Sequence, residues 1–367
     1  MRPGVIQLMT KLLFAILVMI FNHQIIAQET LSKDGYSLNS DNKTENGDSQ
    51  EQVYGAAMKQ LNTITVMTYN IQQLGYANWM ANHFEKERLA LIPETILSLE
   101  EKPDILIFQE VFTEYSFNFL VKELSHAFPY HTEVVAQNCA RTMWTSVQGD
   151  CRANSFKGNG GVTNFSRWPI TAKHAYVYRS VRISSTLDFM AQKGAVYANI
   201  LIGEQQVHVL GTHLQADGGS HDIRMQQLEE MRSWFDSFNV PKSEAVILGG
   251  DFNVSSNDTD KLAELLSVTK SRFELSDQNF GSISPGTNRY LNLISSRNSE
   301  KTLDFILYRT DHLRPVNRPM LKVLHFKSSR LWTGVRLFSQ DVEMNDLSDH
   351  YPTIAAYQYW KFTIPGD

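Results

Sequence analysis

The sequence predicts an α/β (α+β) domain. Short apolar runs of strand length recur along the chain, and apolar periodicities of helical spacing fall between them. Neither an internal repeat nor a Pro- or Gly-rich linker interrupts residues 61–367. Strands that alternate with helices bury their apolar faces in layers of this class. With 367 residues, 42% of them hydrophobic, the chain has ample material for one large core.

The elements are expected in the following order. In residues 1–27, Arg2 and Lys11 precede the unbroken apolar run 12–21, and Ile25-Ile26-Ala27 ends on a small residue. That pattern reads as a secretory signal peptide, because the run falls short of the ~20 residues a membrane-spanning helix needs. Residues 28–58 are polar and read as a disordered leader. The folded domain is expected over 59–367. Its first strand is 64–69. A helix over 85–101 places Leu89, Ile92, Ile96 and Leu99 on one face, despite Pro93. A buried strand follows at 104–108. Further strands are expected at 161–165, 195–202, 207–211, 245–248, 303–308 and 353–357, with a helix over 223–238.

Removal of residues 1–27 takes the formal charge from −5 to −7, since Arg2 and Lys11 are the only charged residues there. An acidic chain is a poor candidate for coating duplex nucleic acid by phosphate neutralisation. A nuclease stays open, because a bound metal can localise positive potential. The two cysteines, Cys139 and Cys151, have polar flanks, and in a secreted chain an even count points to a disulfide.

Several apolar runs end in polar residues. Tyr69-Asn70 closes the first, Gln109-Glu110 the second, and Thr212-His213-Leu214-Gln215 a third. Gly249-Gly250-Asp251-Phe252-Asn253 closes a fourth, Leu303-Asp304-Phe305 lies in a fifth, and Ser348-Asp349-His350 precedes the last. Each alone is a weak signal: a Glu after an apolar strand is more often a solvated strand end than a ligand, Asp251-Phe252-Asn253 suits an Asx turn, and His213 suits a core histidine. Their repetition matters, because ligands of open α/β architectures sit beyond strand ends. Glu110 and Asp349 are hard oxygen ligands, with further oxygens on Asn70, Asp251 and Asn253. That donor set suits Mg²⁺ and lacks the Cys and His that structural zinc requires. Two histidines beside such a cation point to metal-assisted phosphoester hydrolysis. Adjacent residues of an extended strand point to opposite sides, so Asp349 is poorly placed to orient His350. Asp304, inside an apolar run, is the better partner, since a buried carboxylate needs one.

Together these motifs resemble the endonuclease/exonuclease/phosphatase superfamily, over roughly residues 61–360. Three stretches are most similar to secreted, bacterial-type neutral sphingomyelinases. They are Asn159-Gly160-Gly161-Val162 continuing to Ser166-Arg167-Trp168-Pro169-Ile170, then Gly211-Thr212-His213-Leu214-Gln215-Ala216, then Ser348-Asp349-His350-Tyr351-Pro352. The resemblance implies a four-layer α/β/β/α sandwich of two packed mixed sheets with outer helices. It implies a secreted enzyme that uses Mg²⁺, or another divalent cation such as Mn²⁺ or Co²⁺, to hydrolyse membrane sphingomyelin to ceramide and phosphocholine.

By the same resemblance Glu110 is the principal metal ligand, and Asn70 and Asp349 organise metal and phosphate. Asp251 and Asn253 position the phosphate and the attacking water. His350 is the general base, oriented by Asp304, and His213 stabilises charge on the phosphate. Residues 331–338 fall where such enzymes carry an aromatic-tipped hairpin. Trp332 and Phe338 are therefore expected at the membrane, with Lys322, Lys327, Arg330 and Arg336 nearby, and a core strand carrying an aromatic is the equal alternative reading. Neither a nucleic acid nor a protein partner is expected. After Ala216 the chain reads Asp217-Gly218-Gly219, where the bacterial enzymes commonly have two acids. That departure leaves phosphatidylcholine open as a substrate. The same fold would also serve a DNase-like nuclease or a non-catalytic binding protein.

Overall fold

The computed structural model describes residues 61–75, 84–137, 139, 143–151, 158–181, 187–216, 219–276, 281–294, 299–334 and 342–360. The expected signal peptide, the expected leader, Arg336 and Phe338 lie outside them. In chain order the elements begin with β1 (Leu61–Gln73), α1 (Glu85–Leu97), β2 (Ile105–Val111) and α2 (Glu114–Leu124). Then come β3 (Tyr130–His131), β4 (Ser146–Gly149), β5 (Thr163–Ser166), β6 (Ile170–Val177), β7 (Gly194–Ile202) and β8 (Gln205–His213). Next are α3 (His221–Asp236), β9 (Ala245–Asp251), α4 (Thr259–Thr269), β10 (Ser271–Arg272), β11 (Glu274–Leu275) and α5 (Arg289–Ile294). The last are β12 (Asp304–Arg309), β13 (Met320–Val323), β14 (Lys327–Gly334), β15 (Val342–Asp346) and β16 (Thr353–Trp360).

Two seven-stranded mixed sheets result, in the orders β11-β13-β16-β1-β2-β5-β3 and β10-β12-β9-β8-β7-β6-β4. Strand alternation divides the apolar residues between two cores. Ile64 and Val66 of β1 and Ile105 and Ile107 of β2 join Val207, Val209, Ile247 and Phe305 of the second sheet. Their neighbours Met67, Tyr69, Leu106 and Phe108 turn the other way, onto Leu89, Ile92 and Ile96 of α1 and Phe117, Leu120 and Leu124 of α2. Leu228, Met231, Trp234 and Phe235 of α3 join the core of the second sheet. The layers are therefore helix, sheet, sheet, helix. The sheets approach closely where Ile107 crosses the second sheet. A Cβ on Gly249 would lie 2.5 Å from Ile107 Cδ1, and one on Gly211 would lie 2.8 Å from Ile107 Cγ2. A side chain at either position would force the sheets apart.

The helix expected over 85–101 ends at Leu97. Glu100 and Glu101 would stand at the negative end of the helix dipole, and Pro103 disfavours helical backbone before it. The structure adds α2 and α4, capped by the side chains of Thr113 and Asp258. Among the described residues no helix is long and apolar enough to cross a membrane.

Candidate active site

The site begins where β1 and β2 end. The two strands pair in parallel with Asn70 opposite Gln109, and the register then shifts so that Gln73 faces Val111. This irregularity re-aims the side chains beside it. Gln109 turns inward and bonds Thr68 Oγ1 at 2.9 Å, while Glu110 turns toward the site. Its backbone holds φ 59°, in the left-handed region, where a residue with a Cβ is strained. Gly161 leaves room for that conformation: its own φ is +71°, and a Cβ there would lie 3.0 Å from Glu110 Cα. Asn159 braces the segment, with Oδ1 accepting from Gly161 N at 2.9 Å and Nδ2 donating to Phe112 O at 3.3 Å.

The second sheet supplies the rest in register. His213 of β8 pairs with Asp251 of β9, and Asp251 pairs with Asp304 of β12. Three chemically useful side chains therefore share one level of the sheet. Asn70 joins the two sheets: its Nδ2 donates to Glu110 Oε1 at 3.0 Å and to Asp251 Oδ2 at 3.2 Å. Asn253 holds φ 50°, donates from its backbone N–H to Asp251 Oδ1 (2.9 Å), and donates from Nδ2 to Leu214 O (3.1 Å).

His350 completes the cluster. Its Nδ1 lies 2.8 Å from Asp304 Oδ2, in a pair that is all but shut off from solvent. Asp251 Oδ2 stands 3.8 Å from the same nitrogen, and Asp349 Oδ2 stands 4.0 Å from Nε2. The segment around Asp349-His350 is a bend and not the extended strand the sequence suggested, since β16 starts only at Thr353. In the bend Asp349 approaches His350 on the Nε2 side, 4.0 Å away, while Asp304 takes Nδ1. Ser348 Oγ donates to Asn70 O at 2.8 Å, and Asn288 Nδ2 donates to the carbonyls of Ser348 (2.9 Å) and Asp349 (3.2 Å).

Burial works against charge on His350, but Asp304, Asp349 and Asp251 outweigh it and raise its pKa to about 10. Burial and the neighbouring Asp349 push Glu110 up to about 7. For Asp251, burial is overcome by His350, His213 and Lys193, which hold its carboxyl below the usual range. Burial, with the help of Lys193, lowers His213 to about 3, so its imidazole is neutral.

The tightest group of potential ligands among the described residues is Asp251, Asp304 and His350. Those side chains are committed to one another and deeply buried. Glu110 and Asp349 are only partly buried, and Asn70 links the former to the cluster. An all-oxygen set with two partly exposed carboxylates fits a hard divalent cation, whose charge would offset the burial and the like charge that raise Glu110.

The structure thus brings together Asn70, Glu110, His213, Asp251, Asn253, Asp304, Asp349 and His350. Sequence reasoning missed Lys193, a buried ammonium 3.0 Å from His213 Nε2, 2.7 Å from Asp188 Oδ1 and 2.7 Å from Leu214 O. An ammonium only donates, so Nε2 of His213 accepts and the imidazole proton sits on Nδ1. On the His213 side of the site the positive charge is accordingly carried by Lys193. Cys139 and Cys151 form the expected disulfide.

Trp332 is half-buried on β14 and stacks on Phe84, with ring centroids 6.2 Å apart, so part of its ring packs on the protein body. Leu331 beside it takes the opposite face of the strand and is 59% exposed. Lys327 is tied to buried Asp346 at 2.6 Å, and Lys322 pairs with Glu101 at 3.2 Å. Neither lysine is a free charge for lipid head groups.

Comparison with known proteins agrees with this geometry. Residues 67–350 match the Endonuclease/Exonuclease/phosphatase family. The chain is 29% identical to a sphingomyelinase C of Bacillus cereus over 314 residues, which covers 82% of this chain and 90% of that protein. It is 28% identical to a phospholipase C of Staphylococcus aureus over 303 residues, covering 80% of this chain and 87% of the relative. Among solved structures, sphingomyelinase C from Streptomyces griseocarneus superposes with a TM-score of 0.70 at 25% identity, over 81% of this chain and 99% of that one. A doubly substituted beta toxin from Staphylococcus aureus with bound magnesium ions gives a TM-score of 0.71 at 26% identity, with 81% and 99% coverage. The chain belongs to the endonuclease/exonuclease/phosphatase family.

Proposed function

We propose that this protein is a secreted, Mg²⁺-dependent sphingomyelin phosphodiesterase that releases phosphocholine and leaves ceramide. The observation that carries the proposal is the buried Asp304–His350 pair, set beside Asn70, Glu110, Asp251 and Asp349 where both sheets end. The similarity to proteins named sphingomyelinase C, over about four-fifths of the chain, supplies the substrate class.

Glu110 and Asp349 would hold the cation, with Asn70 beside them. When bound, it neutralises charge on the phosphate and on the departing alkoxide. Asp304 accepts from His350 Nδ1, and in the neutral form of the ring Nε2 takes a proton from the attacking water; a cation held beside Asp349 would favour that form by offsetting the carboxylates that raise the ring's pKa. Asp251 and Asn253 position that water and the phosphate. His213 stays neutral and can offer only its Nδ1–H as a donor, while the positive charge behind it is that of Lys193. The exposed face of the β14–β15 hairpin, with Leu331, is the segment proposed to touch the lipid surface. Residues 1–27 are proposed as the secretion signal, and recovery of protein from the culture medium still carrying them would rule that out.

The test is phosphocholine release from sphingomyelin and phosphatidylcholine vesicles in parallel, with Mg²⁺ and with a chelator. Release from sphingomyelin that needs the cation and is lost in His350→Ala is the expected result. Release from phosphatidylcholine alone would keep the mechanism and change the substrate; the relative named phospholipase C favours that second reading. Silence on both lipids, with nicking of plasmid DNA, would overturn the lipid assignment.

A further inference from the structure

We infer that Arg88 is a positioning residue for the cation site, the bolt that sets the spacing between the strand end carrying Asn70 and the bend carrying Asp349. The inference rests on the reading of Glu110 and Asp349 as the cation-holding pair.

Arg88 lies in the first turn of α1 and is fully buried. Its guanidinium donates to two separate stretches of backbone. Nη1 reaches Leu347 O at 2.8 Å and Ile71 O at 3.3 Å, and Nη2 reaches Gln72 O at 3.1 Å. Ile71 follows Asn70, and Leu347 precedes Ser348-Asp349-His350. The head group also lies over the ring of Tyr290, 4.5 Å from its centroid.

The three carbonyls belong to irregular backbone. Ile71 and Gln72 fall within the register shift of β1, and Gln72 holds φ 48°. Leu347 opens the bend. A departure from regular pairing leaves carbonyls in need of donors, and these departures are what aim Asn70 and Asp349 at the site. A planar fork with five donors can serve carbonyls of two segments at once, whereas a lysine offers three donors on one atom. The helix turn that carries Arg88 is itself fixed to the end of β1. Glu85 Oε1 accepts from Leu74 N at 2.8 Å and from Gly75 N at 3.2 Å. Arg88 therefore stands at a defined height against the bulge.

The experiment is a calorimetric titration of Mg²⁺ alone into the purified chain, without lipid, at a temperature where circular dichroism shows every variant folded. Arg88→Lys and Arg88→Met are expected to weaken Mg²⁺ affinity tenfold or more. In Arg88→Lys, raised Mg²⁺ should restore phosphocholine release, a rescue that general destabilisation does not produce. Arg309→Met is the control. Arg309 is a buried arginine at the opposite end of β12 from Asp304, paired with Asp236 and Asp311, and its loss should leave the affinity within twofold. Should Arg88→Met fail to fold, Arg88→Lys decides. Ser348→Ala, which removes the bond from Ser348 to Asn70 O, should weaken affinity in the same direction. Unchanged affinity in a folded Arg88 variant, or equal loss in Arg309→Met, would overturn the inference. Glu110→Gln separates the two claims. If it abolishes binding while Arg88 variants bind normally, only the positioning role falls. If it binds normally, the cation-site reading falls with it.

Discussion

Asp304→Asn is the substitution that probes the proposed mechanism most directly. It preserves the shape of a side chain with no solvent exposure and removes its charge. At the observed 2.8 Å between Asp304 Oδ2 and His350 Nδ1, an effective dielectric of ~20 gives an attraction of about 6 kcal/mol between carboxylate and imidazolium. Asparagine retains a dipole, so half or more of that, about 3–5 kcal/mol, is lost from a transition state in which His350 carries the proton. Each 1.36 kcal/mol is about a tenfold change in rate, so kcat should fall by about 10²–10⁴. KM should hold within about threefold, because Asp304 sits behind His350 and away from the substrate. The assay is initial-rate phosphocholine release at saturating Mg²⁺, with thermal unfolding as the check on folding. The double variant with His350→Ala should be no slower than His350→Ala alone, since the two residues act as a unit. A folded Asp304→Asn enzyme with kcat within threefold of the parent would refute the reasoning.

Three further outcomes are expected. Lys193→Met leaves Asp188 without its 2.7 Å cation and removes the charge beside His213, so kcat should drop at least about tenfold and denaturant melts should show a loss of about 2–4 kcal/mol. Gly161→Ala, at φ +71° and with its new Cβ 3.0 Å from Glu110 Cα, should displace Glu110; calorimetry should show weaker Mg²⁺ binding at a stability cost of about 1–3 kcal/mol. His174 is held below its ordinary pKa by burial, so its neutral form contributes stability that is present above the unfolded value and lost as pH falls through the folded one. In His174→Gln the fall in unfolding free energy below about pH 6.5 should be shallower by up to ~1.4 kcal/mol per pH unit, and an unchanged slope in urea melts at several pH values would count against it.

The legible part of the site was the part written at strand ends. Asn70, Glu110, His213, Asp251 and Asp304 each close or begin an apolar run, and the register between strands does the rest. The position of a polar residue after its run already encodes its level in the sheet. Lys193 had no such mark, because it sits between a short 3₁₀ turn and β7 (Gly194–Ile202) where no periodicity flags it. Arg88 carried a signal that went unread. It stands four residues before Ile92 and eight before Ile96, on the stripe α1 buries, and a charge on an apolar stripe asks what it bonds. Helix α2 also carried an unread signal, since Phe117, Leu120 and Leu124 repeat at helical spacing behind the Thr113 cap; α4 buries only Leu265 and Thr269, too little for a clear period. Trp332 was left between membrane and core for a different reason. A strand's two faces are equivalent in sequence until the pairing partner is known, and here the partner placed the tryptophan on Phe84.

The site concentrates two kinds of cost, and both point to the same occupant. Five carboxylates, those of Glu110, Asp188, Asp251, Asp304 and Asp349, gather around the cations Lys193 and His350, while His213 stays neutral. Asp188 is matched by Lys193 and Asp304 by His350. The remaining negative charge falls on Asp251, Asp349 and Glu110, and burial, with Asp349 beside it, raises Glu110 to about 7. The backbone is strained in the same place, at Gln72, Glu110 and Asn253, all with positive φ. Strain of ~1–3 kcal/mol per residue persists only where surrounding contacts over-determine it. Gly161 and Asn159 supply those contacts on the Glu110 side, and Arg88 supplies them at the bulge. A purely structural strand end would relax by letting Glu110 turn to solvent. Holding it inward, against both charge and dihedral preference, makes physical sense if a divalent cation and a phosphate complete the charge balance during turnover.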